Sequence, residues 1–182
     1  YVDYSALRRI EALVPGETAT IVATVRRCHG FTSPRNPNLS IIELQLQDPP
    51  GRIKVSRFLP GRRFSNPSYL HGQTRLYPNG ATVAVSGLVK EGAYGLSFQD
   101  PLIEVMENAQ APLQSKRIGR LLPVYSLTEG LTADRFRTLV EAALPSVRLW
   151  PEPLPPQRRQ ARHLLHRHQA LTAIHRPETS EQ

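Results

Sequence analysis

Cysteine and long apolar runs are both scarce in this 182-residue chain. Cys28 is the only cysteine, so an intramolecular disulfide is excluded, as is a metal site built from several cysteines. No apolar run approaches the roughly 18 residues that a membrane-spanning helix needs. The N-terminus lacks the basic-then-apolar pattern of a signal peptide. We therefore expect a cytoplasmic protein with no membrane partner.

The sequence also lacks the motifs of the common enzyme classes. It contains no glycine-rich phosphate-binding loop and no dinucleotide-binding fingerprint. Three of the six histidines fall within residues 163–168, but the adjacent Arg162 and Arg167 would repel a metal cation. No pair of carboxylates is spaced for acid–base work. We therefore expect no catalytic residue, no metal and no cofactor in this chain.

Positive charge is what the chain has in excess. It carries 23 Lys and Arg against 15 Asp and Glu, which gives a net charge of +8 and a pI of about 10.2. A small domain this basic usually has a polyanionic partner, most often nucleic acid. On charge alone, an anionic membrane surface is the next commonest partner, and a soluble basic domain without a polyanionic partner is the other alternative.

Alternating apolar and polar residues predict five β-strands, over residues 18–25, 39–47, 52–59, 81–89 and 96–106. The last is interrupted near Asp100-Pro101. Residues 60–80 form an irregular or helical connection between the third and fourth strands, as in an OB-fold. The predicted fold class is mainly β: a five-stranded OB-fold Greek-key barrel with flanking short helices and an extended C-terminal tail.

The segments around the barrel have other patterns. Residues 1–15 are predicted to be an N-terminal helical segment, with a helix over 1–13, and residues 16–107 to be the barrel. Residues 108–182 are predicted to be a linker and a partly helical segment. Within it, 120–132 is extended, Thr132 caps a helix over 133–144, and a polar helix covers 157–168.

Basic and aromatic residues are interleaved between residues 52 and 75, where no acidic residue occurs. Arginines neutralise phosphates, and exposed rings stack on unpaired bases. The predicted stacking residues are Phe58, Phe64 and Tyr69. The loops that flank an OB-fold's binding face are predicted to add His29, Phe31 and Tyr94. The predicted phosphate-contacting residues are Arg26, Arg27, Arg35, Arg52, Lys54, Arg57, Arg62, Arg63, Arg75 and Lys90.

Three segments together resemble the N-terminal wedge region of the RecG family of branched-DNA helicases. They are YPNGATVAVSGLV at 77–89, LPVYSLTEGL at 122–131 and ALTAIHRP at 170–177, in that order. The resemblance implies a module that binds replication forks and Holliday junctions and splits strands there, in replication restart, recombination and repair. It implies a monomer in the bacterial cytosol or nucleoid, and a longer parent helicase that binds ATP and Mg²⁺. The chain alone is then expected to bind DNA without hydrolysing ATP.

The chain departs from the family just after the third strand, where the family has a compact F-N-Q-x-Y pattern. Here Phe58 matches the first aromatic and Tyr69 the later tyrosine, with an insertion between them, although Phe64 could take the first role. All three rings therefore stay candidates. Two other functions also stay open: a generic single-strand-binding OB module, and an interaction domain for an acidic protein.

Overall fold

The computed structural model describes residues 1–92, 95–107 and 118–177. The predicted loop residue Tyr94 and the linker predicted over 108–115 lie outside these residues. The chain divides into two compact units, Tyr4–Arg120 and a unit formed by Tyr1–Asp3 with Leu121–Gln182. No helix in the described ranges is both long enough and apolar enough to span a membrane.

Seven strands and four α-helices make up the described regular structure, with three short 3-10 helices over Ile10–Ala12, Arg62–Phe64 and Leu144–Leu149. The strands are β1 (Val2–Asp3), β2 (Thr18–Thr32), β3 (Leu39–Asp48), β4 (Gly51–Pro60), β5 (Thr82–Gly92), β6 (Gly95–Met106) and β7 (Leu121–Leu122). The helices are α1 (Pro67–Arg75), α2 (Ala133–Ala143), α3 (Pro156–Ala161) and α4 (Arg167–His175).

The unit Tyr4–Arg120 is built on one antiparallel sheet with the strand order β4-β3-β2-β5-β6. Its two outer strands, β4 and β6, approach within 8 Å at their Cα atoms, so the sheet curls into a partly open barrel. The long strand β2 pairs with β5 through its first half and with β3 through its second half. This order, with α1 between β4 and β5, is that of an OB-fold and confirms the predicted fold class.

The barrel core forms because alternate residues of each strand point inward. Ile42, Leu44 and Leu46 of β3 are at most 1% exposed, as the alternation predicted. On β4 the inward positions are Ile53 and Val55. The predicted interruption of the last strand is confirmed, because the β5–β6 register shifts at Asp100-Pro101, where Asp100 has a φ of +45°.

Helix α1 covers one end of the barrel. Asn66 caps its first turn by accepting a hydrogen bond from the Ser68 amide at 2.8 Å, and Pro67 occupies the first helical position. Leu70 is buried against the core. Gly30 of β2 lies beneath the helix, since a Cβ there would stand 3.4 Å from Leu70 Cβ and 3.3 Å from Thr74 Cγ2. The predicted irregular or helical connection is thus helical.

Two predictions for the unit Tyr4–Arg120 are wrong. The helix predicted over residues 1–13 is replaced by extended chain and one 3-10 turn, with Leu7 bridging to Thr20. The first strand, predicted to end at residue 25, continues to Thr32, so His29 and Phe31 lie on β2 and not in the predicted loop.

The unit that contains Leu121–Gln182 is more helical than predicted. The sequence suggests an extended C-terminal tail, whereas the structure has α2, α3, α4 and a 3-10 helix there. Thr132 caps α2 as predicted, by accepting a hydrogen bond from the Arg135 amide at 3.3 Å. The single helix predicted over 157–168 is wrong, because α3 ends at Ala161 and α4 starts at Arg167. His163 lies between them with a φ of +51°, which no helix accommodates.

Candidate nucleic-acid interface

The outward side of strands β2, β3 and β4 brings together seven of the predicted site residues, which are His29, Phe31, Phe58, Arg26, Arg27, Arg52 and Lys54. We call this surface the outer face; it is opposite to the side that buries Leu44 and Val55. Strand register places its residues in cross-strand rows. The rows are Phe31–Ile41–Phe58, then His29–Glu43–Ser56, then Arg27–Gln45–Lys54, with Gln47–Arg52 beyond them.

The first row, which we call the aromatic row, has two phenylalanines, Phe31 and Phe58, on either side of Ile41. Phe31, Ile41 and Phe58 are direct neighbours on adjacent strands, where side chains lie roughly 5 Å apart. Phe58 is 56% exposed, which is unusual for a phenylalanine in a sheet. His29 stacks on Phe31 with ring centroids 5.3 Å apart and ring planes 15° apart. This aromatic row can present a flat apolar surface to an unpaired base.

A cationic cleft lies at the other end of the outer face. It encloses about 480 Å³ and is lined by Arg26, Arg27, Gln45, Leu46, Arg52, Ile53 and Lys54. The β2–β3 register shifts between Val25 and Arg27, so Arg26 is the extra residue of a β-bulge. In the described part of the chain, Arg26, Arg27 and Arg52 form no ion pair. These three guanidinium groups are therefore available to an anion.

Glu43 lies between the aromatic row and the cationic cleft. Its carboxylate is 3.4 Å from Lys54 Nζ and 3.9 Å from His29 Nε2. Lys54 is therefore partly neutralised in the absence of a ligand. His29 Nδ1 is buried without a hydrogen-bond partner in the described structure.

The other two predicted stacking residues lie outside the outer face. Phe64, in the 3-10 helix after β4, and Tyr69, on α1, are partly buried against the barrel core. Their ring centroids are 5.3 Å apart, and the Arg63 guanidinium carbon lies 4.6 Å above the Phe64 ring. Of the three predicted rings, Phe58 is the one that is most open to a ligand.

The ten predicted phosphate-contacting residues are all exposed, but they are not all together. Four of them line the cationic cleft. Arg57, Arg62 and Arg63 follow along the end of β4 and the adjoining 3-10 helix, and Arg75 ends α1. Arg35 lies in the turn between β2 and β3, whereas Lys90 lies on β5, in the other half of the sheet.

Phe31 and His29 have a different setting from the one that the sequence suggests. The sequence predicts a loop for both, because residues 30–38 are rich in turn-forming residues. The structure places both on β2, with Phe31 directly in line with Phe58. Extending the alternation of β2 past Arg27 would have revealed this row.

The strand order and pairing define an OB-fold domain, and its outer face is basic and carries the exposed ring of Phe58. The chain belongs to the RecG wedge domain family, whose model matches residues 1–147. It is 44% identical over 181 residues to the ATP-dependent DNA helicase RecG of Synechocystis, and 29% identical over 182 residues to that of Thermotoga maritima. These matches cover 100% and 98% of this chain but 22% and 21% of the relatives, so the chain spans about a fifth of their length.

A solved structure gives the same result in three dimensions. RecG bound to a three-way DNA junction superposes with a TM-score of 0.71 at 26% identity, over 97% of this chain and 22% of that one. The predicted family is therefore confirmed by sequence and by fold. The particular contacts of Phe58, Phe64, Tyr69 and the ten cations remain predictions.

Proposed function

We propose that this domain binds branched DNA, and that an unpaired strand at the branch lies on the outer face with a base stacked on the aromatic row. The observation that carries the proposal is the exposed ring of Phe58, aligned with Phe31 on the same sheet face as the cationic cleft. Stacking on aromatic rings suits any base, because every base has a π-face. The domain would therefore recognise the branch rather than a sequence.

The branch preference is supported by the relative that was solved with a three-way DNA junction. The exposed cations extend beyond the outer face, from Arg62 and Arg63 to Arg75 at the end of α1. A single duplex arm could not contact all of them, whereas the arms of a fork could approach from several directions. Splitting of strands would follow if the domain occupied the point where the arms diverge.

The rest of the proposal concerns the longer protein to which such a domain belongs. It would be an ATP-dependent DNA helicase whose motor domains bind ATP and Mg²⁺, and would act in replication restart, recombination and repair. Its place would be the bacterial cytosol or nucleoid, where chromosomal DNA lies. We propose that it works as a monomer, with this domain contacting the motor domains of the same chain.

A binding titration of the 182-residue chain tests the proposal. Fluorescently labelled fork, single-strand and blunt duplex DNA of equal nucleotide content are compared by anisotropy at moderate salt. We expect the fork to bind more tightly than the blunt duplex. Equal affinity for the two would refute branch recognition.

Two other results would assign a different function to the domain. Tighter binding of the single strand than of the fork would identify a generic single-strand-binding module, which the sheet face alone would also suit. A complete lack of binding to all three DNAs would point to an acidic protein partner. Either result contradicts the proposal as stated.

A further inference from the structure

We infer that the cationic cleft is a discrete phosphate-binding subsite for the same unpaired strand whose base stacks on the aromatic row. The inference rests on the proposed function and adds a second fixed point of contact to it. The ligand chemistry is a backbone phosphodiester. The subsite is the space between Arg26 and Arg27 of β2 and Arg52 and Lys54 of β4.

The β-bulge explains how the cleft arises. In a regular strand, consecutive side chains point to opposite sides, so adjacent arginines could not both face one cleft. Here the bulge places Arg26 opposite no residue of β3, between the pairs Val25–Leu46 and Arg27–Gln45. Both arginines line the cleft as a result. Bulges often redirect side chains in this way beside functional sites.

The charge balance of the cleft favours an anion. Four cationic side chains surround about 480 Å³, and none of the residues that line it is acidic. The neighbouring carboxylate of Glu43 pairs with Lys54 and leaves the three arginines free of ion pairs in the described part of the chain. Like charges held together repel each other, and a phosphate would relieve that repulsion. Gln45, in the row between Arg27 and Lys54, offers an uncharged amide donor beside them.

The spacing of the two sites sets a minimum length for the strand. Arg27 and Phe31 are four residues apart on β2, which corresponds to about 13 Å along the strand. A short oligonucleotide stacked on the aromatic row would not reach the cleft, whereas a longer one would fill both. Affinity should therefore rise with length and then level off once both sites are bridged.

The test uses oligothymidylates of about 2 to about 16 nucleotides, because about 13 Å corresponds to roughly four nucleotides at the spacing of about 3.4 Å in a stacked strand, and a dinucleotide is too short to bridge the two sites. The 182-residue chain is compared with the double variant Arg27→Gln/Arg52→Gln. The matched control is Arg148→Gln/Arg158→Gln, which removes the same charge from two exposed arginines outside the outer face. All four side chains are exposed, and unchanged melting temperatures confirm that each variant is folded.

We expect the cleft variant to bind the longest oligonucleotide on the order of tenfold more weakly, with little change for the shortest. The slope of log affinity against log salt should become shallower by about 0.7 for each phosphate that the variant no longer neutralises. The control variant should show a smaller decrease in affinity that does not depend on length. Equal decreases in the two variants, or a decrease of the same size at every length, would overturn the subsite.

A blunt duplex distinguishes the source of the phosphate. If the affinity of the cleft variant fell as much for blunt duplex as for the long single strand, the cleft would serve a duplex arm and the inference would be wrong. A different result would contradict the proposed function and leave the subsite intact. A chain that shows the length dependence but no preference for forks would retain the subsite and contradict branch recognition.

Discussion

Phe58 combines high exposure with a position that contributes little to the core. Its ring is 56% exposed, while the neighbouring inward residue Leu59 is buried. Phe58→Ala should weaken binding of forks and single strands by about 1–3 kcal/mol, the usual contribution of one stacked base. The melting temperature should barely change. Anisotropy titration with a parallel thermal melt checks both parts, and a variant that unfolds would show that the ring is structural.

Phe64 and Tyr69 are expected to behave in the opposite way. They contact each other and pack on the barrel core, so their removal leaves a gap between α1 and the sheet. Phe64→Ala should cost about 2–3 kcal/mol of stability, somewhat less than the roughly 3–5 for a fully buried phenylalanine. A chemical denaturation curve measures this cost. If Phe64→Ala weakened fork binding without lowering stability, Phe64 would instead be a residue that stacks on DNA bases.

The packing of α1 on the barrel depends on Gly30. A Cβ at this position would lie 2.8 Å from Ile42 Cδ1, and Ile42 is fully buried and has little room to move. Gly30→Val should therefore destabilise the protein by about 1–3 kcal/mol through overpacking. Gly72→Ala on the same helix is the control, since its Cβ would meet nothing within 4 Å. That change should stabilise the helix by roughly 0.5–1 kcal/mol, and denaturant midpoints compare the two.

Gly30 also shows why the sequence predicts strands better than their ends. Strands β3 to β6 were predicted within a few residues because alternation is a local signal. Glycine is typical of turns, so Gly30 indicates a turn when the sequence is taken alone. In the structure it lies within β2, where the absence of a side chain leaves room for α1, which is distant in sequence. The helix predicted over 1–13 failed for a similar reason, since Leu7 pairs with Thr20 instead of completing a helical face. The aromatic row was missed because the predicted first strand ended at residue 25, whereas β2 continues through Phe31, which pairs with Ile41.

Glu152 makes the start of α4 sensitive to acid. The Arg167 amide donates to its carboxylate at 2.8 Å and, with smaller effects from Leu154, His166 and Arg159, holds the pKa of Glu152 below its ordinary value. A carboxyl whose pKa is lowered by folding contributes stability above its unfolded pKa and loses it as the pH falls through the folded pKa. Acidification below the ordinary glutamate range should therefore loosen α4.

Fluorescence of Trp150, the only tryptophan, reports on this region during an acid titration. Glu152→Gln should make the signal less dependent on pH in the acidic range. Glu129→Gln is the control, because Glu129 is exposed and lies outside α4 and the turn before it. Identical titration curves for both variants would show that Glu152 does not control α4.

At the scale of the whole molecule, the net charge of +8 is distributed unevenly. Four cations surround the cleft, others follow the end of β4 and α1, and Lys90 lies on the far half of the sheet. One strand on the outer face can neutralise only some of them. A branched DNA, whose arms diverge, can reach more. The number of phosphates contacted should therefore depend on the shape of the DNA.

Salt dependence measures that number directly, because each neutralised phosphate releases bound counterions. The slope of log affinity against log salt should be steeper for a fork than for a single strand of the same total length. Part of the difference arises because each contact contributes about 0.9 to the slope on duplex and about 0.7 on a single strand. A fork slope that exceeds the single-strand slope by more than this ratio would mean that additional cations are engaged. Lys90→Gln should then reduce the fork slope and leave the single-strand slope unchanged, whereas an equal reduction in both would place Lys90 on the path of the single strand.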